Sequence, residues 1–203
     1  MVVDAENSKF MNTLILNIPS AVKLTDEQFY QICLANPDLR LELTAQGELI
    51  VMPPTGGETG RRNFSLNGQL WLWNRQTNLG VAFDSSTGFK LPNGATRSPD
   101  VSWVKQERWD ALIAEQKAEF PPLCPDFVLE LRSASDSLSK AREKMQEYLD
   151  NGCRLGWLID PQNQRVEIYR QDREVEIIQS PTTLSGEEVL PGFVLDLTQI
   201  LGS

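Results

Sequence analysis

The sequence predicts a single α/β domain with a mixed central sheet and a short extension at each end. The main observation is a strand–helix–strand unit at residues 127–159, which requires a crossover connection within one sheet. Upstream of this unit, a long helical segment is followed by several strand-like segments, and hairpin-like segments lie at both ends of the series. The chain has 203 residues, of which 40% are apolar, so it is large enough to bury such a core.

The N-terminal extension is predicted to contain a helix and a hairpin. The helix begins within residues 24–29, where Thr25 fits the N-cap and Gln28 fits the capping-box position. Two extended runs, residues 39–43 and 48–52, flank a Gln-Gly turn, and this pattern predicts a hairpin.

The core elements follow from hydrophobic periodicity and from turn residues. Residues 138–149 form an amphipathic helix with Leu138, Ala141, Met145 and Leu149 on one face, and an Asn-Gly pair ends it. The other predicted helices cover residues 61–77 and 109–116. The predicted strands cover residues 81–84, 88–91, 100–104, 127–131 and 155–159.

The C-terminal extension is predicted to contain a hairpin, a turn and a short helix. The hairpin strands are residues 165–169 and 175–178, and the turn is Leu190-Pro-Gly-Phe. The whole chain, 1–203, is therefore interpreted as one domain. Its parts are a tail (1–23), an N-terminal extension (24–57), a core (58–170) and a C-terminal extension (171–203).

The composition excludes several classes of enzyme. The chain has no histidine, which excludes Ser-His-Asp hydrolases, zincins and HNH-type nucleases. Its cysteines, Cys33, Cys124 and Cys153, are odd in number and widely spaced, so neither a disulfide framework nor a zinc knuckle is expected. No apolar run is long enough for a membrane helix, and no signal peptide is recognisable. We therefore expect a cytoplasmic protein without a membrane partner.

Two acidic residues on separate predicted strands are the main candidates for chemistry. Asp100 opens one strand, and Glu130 and Arg132 share one face at the end of another. If the two strands are neighbours, Asp100 and Glu130 converge, and a Mg²⁺ ion would relieve the repulsion between their charges. Arg132 would then stabilise charge on a phosphate. The alternative is a structural ion pair between Glu130 and Arg132.

The following helix places a further cation near this strand end. Lys144 lies at the border of the apolar face, one turn before Tyr148, so it can reach over the sheet edge to Glu130. Lys140 and Arg142 are expected to point to solvent. Taken alone, Lys144 also fits a lysine that only extends along the protein surface.

The central part of the chain carries a local positive charge. Residues 60–98 contain five basic residues and one acidic residue, a local charge of +4 (five minus one) in a chain of −9. Three of the basic residues are candidates for contacts with a phosphate backbone: Arg61, Arg62 and Arg97. The alternative is a solvated helix surface. The glycine-rich run at residues 56–60 is not a phosphate-binding loop, because no Lys-Ser/Thr pair follows it.

The chain resembles the Uma-type putative restriction endonuclease family, a branch of the PD-(D/E)xK nuclease superfamily. The resemblance extends over residues 24–197. The matching stretches are Arg40-Leu-Glu-Leu, Gly47-Glu-Leu-Ile-Val-Met-Pro-Pro-Thr-Gly-Gly, Thr87-Gly-Phe, Ser98-Pro-Asp-Val, Phe127-Val-Leu-Glu-Leu-Arg-Ser, Lys144-Met with Tyr148, Gly156-Trp-Leu-Ile-Asp-Pro and Leu190-Pro-Gly-Phe.

The resemblance implies a restriction-endonuclease-like αβββαβ core and Mg²⁺-dependent phosphodiester hydrolysis. It implies Asp100 as the aspartate of the PD element and Glu130 as the acid of the ExK element, where Arg132 stands in place of lysine. Because arginine rarely gives up a proton, either Arg132 acts electrostatically or Lys144 supplies a migrated lysine, and we favour a shared role. Glu42, Glu58 and Tyr148 are second-tier candidates, with surface charge or helix-dipole complement as the alternative for the two acids.

The leading hypothesis is a metal-dependent endonuclease that acts on DNA with Mg²⁺, for which Mn²⁺ can substitute. One alternative is a catalytically idle protein of the same fold that binds a partner. A second alternative is a metal-dependent phosphohydrolase that acts on a small substrate. A homodimer is expected if the enzyme cuts both strands, since each cut needs an active site.

Overall fold

The computed structural model describes residues 14–16 and 24–202. Its helices are α1 (Asp26–Ala35), α2 (Gly57–Thr77), α3 (Gln106–Asp110), α4 (Ala114–Ala118), α5 (Leu138–Asp150) and α6 (Thr198–Leu201). Its strands are β1 (Leu14–Leu16), β2 (Arg40–Leu43), β3 (Leu49–Met52), β4 (Gly80–Asp84), β5 (Phe89–Lys90), β6 (Thr96–Arg97), β7 (Val101–Lys105), β8 (Phe127–Leu131), β9 (Leu155–Asp160), β10 (Arg165–Arg170), β11 (Glu176–Gln179), β12 (Thr183–Ser185) and β13 (Val194–Asp196). The predicted N-terminal tail, residues 1–23, lies outside the described residues except for β1.

A six-stranded mixed sheet forms the centre of the molecule. Its strand order is β11-β10-β9-β8-β7-β4, in which β8 and β9 are parallel and the other neighbours are antiparallel. The parallel pair is joined through α5, which is the predicted crossover unit. The prediction of an α/β fold with a mixed central sheet is confirmed.

Helix α5 packs closely on the sheet at Gly156 of β9. A Cβ atom on Gly156 would lie 2.5 Å from Cε of Met145, so a larger residue there would force the end of the Met145 side chain to move. Met145 and Tyr148 are buried at this contact, as the predicted amphipathic face requires.

The opposite face of the sheet is covered by α2 and the C-terminal segment. Leu66, Leu70 and Trp73 of α2 are buried in one cluster with Trp157 of β9 and Phe193 before β13. The predicted C-terminal extension thus contributes directly to the main core.

A second, five-stranded sheet holds the N-terminal extension, in the order β1-β3-β2-β6-β5. Its helix begins as predicted: Thr25 Oγ1 accepts a hydrogen bond from the Gln28 amide at 3.2 Å, and the Gln28 side chain accepts one from the Thr25 amide at 2.9 Å. The predicted β2–β3 hairpin is also confirmed, with Gly47 at a φ of 90° in its turn.

Three predicted elements differ in the structure by more than one residue or in their pairing. Helix α2 begins at Gly57, four residues before its expected start at residue 61. The run at residues 88–91 was expected to be a core strand, but β5 pairs with β6 in the second sheet, because a short apolar run does not encode its pairing partner. The expected helix at residues 109–116 is instead two short helices, α3 and α4. In the part of the chain that the structure describes, no helix has the length and apolar character needed to cross a membrane.

Candidate active site

Asp100 and Glu130 lie at the same end of two neighbouring antiparallel strands. Val101 of β7 pairs with Leu129 of β8, so the register continued by one residue places Asp100 opposite Glu130. Opposite residues of an antiparallel pair share a face, with Cβ atoms about 4.5–5.5 Å apart. The expected neighbourhood of the two strands is therefore confirmed, and it brings the two carboxyl groups to one edge of the sheet.

Asp100 is held by the sheet on one side and by α2 on the other. Its Oδ2 accepts a hydrogen bond from the Leu131 amide at 2.8 Å, and its Oδ1 accepts one from the Asn63 side-chain amide at 3.3 Å. Asn67 donates to the Asp100 backbone carbonyl at 3.1 Å. Burial raises the pKa of Asp100, and the Leu131 hydrogen bond only partly opposes this rise.

Sequence reasoning missed Asn63 and Asn67. The available signal was their spacing of four residues on a predicted helix, which puts both amides on one face. That signal does not specify which strand the face meets.

Glu130 is contacted by two residues one turn apart on α5. Lys144 Nζ lies 2.8 Å from Oε1 of Glu130, and the Tyr148 hydroxyl donates to the same oxygen at 2.9 Å. Burial is the largest effect and raises the pKa of Glu130 to about 7, with Lys144 opposing the rise and the charges of Asp100 and Glu42 adding to it. Burial also raises the pKa of Tyr148, which keeps its hydroxyl a hydrogen-bond donor.

Glu42 reaches the site from the second sheet. Its side chain is 3% exposed, and its Oε1 accepts hydrogen bonds from Lys144 Nζ and from the Ser98 amide, each at 2.9 Å. Burial alone would raise the pKa of Glu42, but Lys144 and Arg97 outweigh it and hold the pKa below its ordinary value. Glu42 is thus a buried, charged partner of Lys144.

Lys144 therefore lies between two carboxylates. Burial alone would lower the pKa of Lys144, but Glu130 and Glu42 outweigh it and raise the pKa well above the ordinary range. The lysine stays protonated at physiological pH. The structure brings this lysine to Glu130, at the place where the sequence analysis expected it.

Arg132 pairs with Asp160 and not with Glu130, and this corrects the expectation of a role shared with Lys144. Its Nη1 lies 3.0 Å from Oδ1 of Asp160, and its Nε donates to the Asp136 carbonyl at 3.1 Å. Asp160 is fully buried at the end of β9 and needs a cationic partner. Strand alternation places Arg132 on the same face as Glu130, but Arg132 forms its ion pair with Asp160 of the adjacent strand.

Arg97 is also corrected, since it was expected to contact a phosphate backbone. Its side chain is 10% exposed and pairs with Glu42 at 3.1 Å and with Glu147 at 2.6 Å. An arginine enclosed between two carboxylates offers little charge to a ligand. It joins the second sheet to α5 instead.

The remaining candidates lie on the surface of α2. Glu58 is 57% exposed and pairs with Arg61 at 2.6 Å and with Arg62 at 3.3 Å. The structure does not bring Glu58 to Asp100, because its side chain leaves the first turn of the helix toward solvent. The Arg61 side chain is 48% exposed, where a phosphate could reach it, whereas the Arg62 side chain is only 18% exposed.

Asp100 and Glu130 are carboxylates, the kind of oxygen donor that a magnesium ion takes from proteins. Among residues 24–202, no group of three or more histidine, cysteine or carboxylate side chains is arranged to hold a metal ion. Magnesium usually keeps several waters and binds through one or two carboxylates plus substrate phosphates. Burial raises the pKa of both acids, and a divalent cation bound between them would favour their ionised forms.

Comparisons with known proteins identify the fold and the family. A crystal structure described as a putative nuclease belonging to DUF820, from Anabaena variabilis ATCC 29413, is similar with a TM-score of 0.68 and 21% identity. The alignment covers 79% of this chain and 89% of that one, and it confirms the predicted restriction-endonuclease-like fold. A comparison with curated proteins found no match.

The family comparison covers nearly the whole described chain. The model of the Uma2 family, described as putative restriction endonuclease, matches residues 26–198. The matched range includes the Asp100 and Glu130 strands and α5 with Lys144. The chain therefore belongs to the Uma2 family of putative restriction endonucleases.

Proposed function

We propose that the protein is a magnesium-dependent endonuclease that hydrolyses phosphodiester bonds in DNA. Membership of a nuclease family and the restriction-endonuclease-like fold support the general class. The single observation that carries the proposal is the contact of Lys144 Nζ with Glu130 at 2.8 Å. Glu130 lies opposite Asp100 at the same end of two paired strands. Two acids and a lysine thus meet without any histidine.

Asp100 and Glu130 are the residues that would hold Mg²⁺. When bound, the ion would activate a water molecule and neutralise negative charge on the phosphodiester. Both protein contacts to Glu130 among the described residues use Oε1, so Oε2 is the oxygen available to a cation. Mn²⁺ is expected to substitute, since it takes the same oxygen ligands.

Lys144 has an electrostatic role in this proposal. A lysine that stays protonated is not a base, but its charge can stabilise the charge that develops on the transferred phosphate. Tyr148 fixes the orientation of Glu130 through its hydroxyl. Glu42 keeps Lys144 charged from the opposite side.

A nicking assay on supercoiled plasmid tests the proposal. Wild-type protein should nick the plasmid with Mg²⁺ or Mn²⁺ and not with EDTA, and Glu130→Gln and Lys144→Met should each abolish most of this activity. Lys140→Met is the matched control, because Lys140 is an exposed lysine on the same helix. Circular dichroism should show an intact fold in all variants.

Other outcomes would favour the alternative functions. If the wild type binds Mg²⁺ or Mn²⁺ in calorimetry but cleaves only nucleotides tested in parallel, it is a phosphohydrolase of small substrates. If it neither binds a divalent ion nor cleaves, the idle scaffold is correct. Equal nicking by Lys144→Met and Lys140→Met would remove the lysine from the mechanism.

A further inference from the structure

One face of α2 presents aromatic rings and arginines to solvent. Phe64 is 83% exposed and Trp71 is 53% exposed, although both are large apolar residues. At 3.6 residues per turn, Phe64, Trp71 and Arg75 fall on one stripe along the helix. We call these three residues the aromatic stripe.

The aromatic stripe lies beside the candidate active site. Asn63, which donates to the Asp100 carboxylate, directly precedes Phe64 in the same helix. Successive residues of an α-helix are about 100° apart, so the Phe64 side chain leaves α2 on the face next to the one that meets Asp100. A ligand lying along the stripe would therefore enter the site at its Phe64 end.

The charge of α2 matches a polyanion. The helix carries Arg61, Arg62 and Arg75 against Glu58, a net charge of +2 (three minus one) in a chain of −9. The Arg75 guanidinium lies over the Trp71 ring at 5.2 Å, so a cation and a stacking surface are presented together. This combination of rings and arginines is what proteins use to bind unpaired nucleic acid.

We propose that the aromatic stripe stacks the unpaired bases of a single-stranded stretch of nucleic acid and leads that strand to Asp100 and Glu130. The proposal rests on the proposed nuclease function and specifies its substrate as DNA with a single-stranded segment. Phe64 and Trp71 are seven residues apart, about 10.5 Å along the helix axis. Stacked bases repeat at about 3.4 Å, so the stripe would span about three nucleotides.

A second copy of this chain fits the stripe less well. In an antiparallel two-fold pairing centred on Gly68, where the absence of a side chain permits the closest approach, Arg61 would face Arg75 of the second copy. Two arginines that face each other repel, and this repulsion opposes association of the two copies. The charges therefore favour a polyanionic occupant.

Fluorescence anisotropy of a labelled oligothymidylate tests the proposal, with binding measured in EDTA so that no cleavage occurs. The protein should bind the single strand more tightly than a blunt duplex of equal length. Phe64→Ala and Trp71→Ala should each weaken single-strand binding about tenfold or more. Arg75→Gln should also weaken binding and reduce its dependence on salt concentration.

Two matched variants separate stacking from simple apolar contact. Trp71→Phe keeps a ring and should retain most of the affinity, whereas Trp71→Leu keeps apolar surface and should lose it. Ile113→Ala is the control, because Ile113 is 59% exposed on a different part of the surface. This variant should bind the oligonucleotide like wild type.

Three results would overturn the proposal. The first is Trp71→Leu binding as tightly as wild type, and the second is an equal preference for duplex. The third is a dimer in sedimentation velocity that Phe64→Ala dissociates while oligonucleotide binding is unchanged, which would make the stripe a self-association surface. Because binding is measured without metal, a protein that binds the single strand but nicks no plasmid would contradict the nuclease function alone.

Discussion

Lys144 of α5 and Glu42 of β2 form an ion pair at 2.9 Å that joins the five-stranded sheet to the helix packed on the central sheet. The same ammonium group contacts Glu130 at 2.8 Å, so the second sheet acts directly on the candidate active site. The N-terminal extension is thus part of the site and not only an addition to the core. This relationship makes Glu42 a positioning residue for Lys144.

The first prediction concerns this positioning. Glu42→Gln removes one of the two charges that hold Lys144, and the lysine is then free to move toward Glu130 alone. We expect kcat for plasmid nicking to fall about 10- to 100-fold, as for other residues that orient a metal site indirectly, with a smaller change in Mg²⁺ affinity. Single-turnover kinetics and calorimetry measure the two effects separately.

The matched control for Glu42 is Glu48→Gln, which lies just before the neighbouring strand of the same hairpin and is more exposed. It should nick like wild type. A Glu42→Gln variant with unchanged kcat would show that Lys144 is positioned by Glu130 and the helix alone.

The second prediction concerns protons released when metal binds. Because the pKa of Glu130 is about 7, a substantial fraction of the molecules carry a proton on this carboxylate near neutral pH. A divalent cation requires the ionised form, so Mg²⁺ affinity should increase as pH rises through about 7. Calorimetric titrations in two buffers of different ionisation enthalpy at about pH 6.5 should show release of a fraction of one proton.

The Glu130→Gln variant has no proton to release at this position, so any residual binding should give the same heat in both buffers. A buffer-independent heat for the wild type would contradict the raised pKa of Glu130.

The sequence predicts the parts of this site that depend on residues close together in the chain, and it does not predict contacts between residues far apart in the chain. The limits of α5 and β8 were predicted within one residue, because amphipathic spacing and a compact apolar run are local signals. Lys144 was placed near Glu130 for the same reason. The contact between Glu42 and Lys144 joins the second sheet to α5 across 102 residues of sequence, and no periodicity encodes it.

Arg132 and Arg97 show what local patterns leave undetermined. Strand alternation gave the correct face for Arg132, but it did not show that a buried aspartate at the end of the next strand would take its charge. Arg97 lies in a basic stretch of sequence, yet its neighbours in space are Glu42 and Glu147. In both cases the tertiary structure, which buries the carboxylates beside the arginine, determines the ion pair that the arginine forms.

The third prediction concerns stability and pH. The folded-state pKa of Glu130, about 7, is above its ordinary value of 4.5, so its stabilising contribution is complete at low pH and is lost as pH rises through about 7. Glu130→Gln removes this loss. Relative to wild type, the variant should therefore gain stability between about pH 5 and about pH 8, by on the order of 2–3 kcal/mol.

Urea unfolding at the two pH values measures this change as a shift in midpoint. Glu143→Gln, an exposed acid on α5, is the control and should show no such pH dependence relative to wild type. A Glu130→Gln variant whose stability relative to wild type is the same at both pH values would contradict the assigned pKa.

The last prediction separates Arg132 from Lys144. Arg132 compensates the fully buried Asp160, which Arg165 also approaches at 3.5 Å, so Arg132→Gln should lower the free energy of unfolding by about 1–3 kcal/mol. The folded fraction of that variant should still nick plasmid at a rate close to wild type, because its guanidinium does not reach Glu130. Lys144→Met should lose most activity even in its folded fraction, although its stability should also fall because Glu42 and Glu130 lose the cation they share. Nicking rates are compared at a temperature well below each variant's thermal unfolding midpoint. A large loss of kcat in folded Arg132→Gln would show that Arg132 takes part in catalysis.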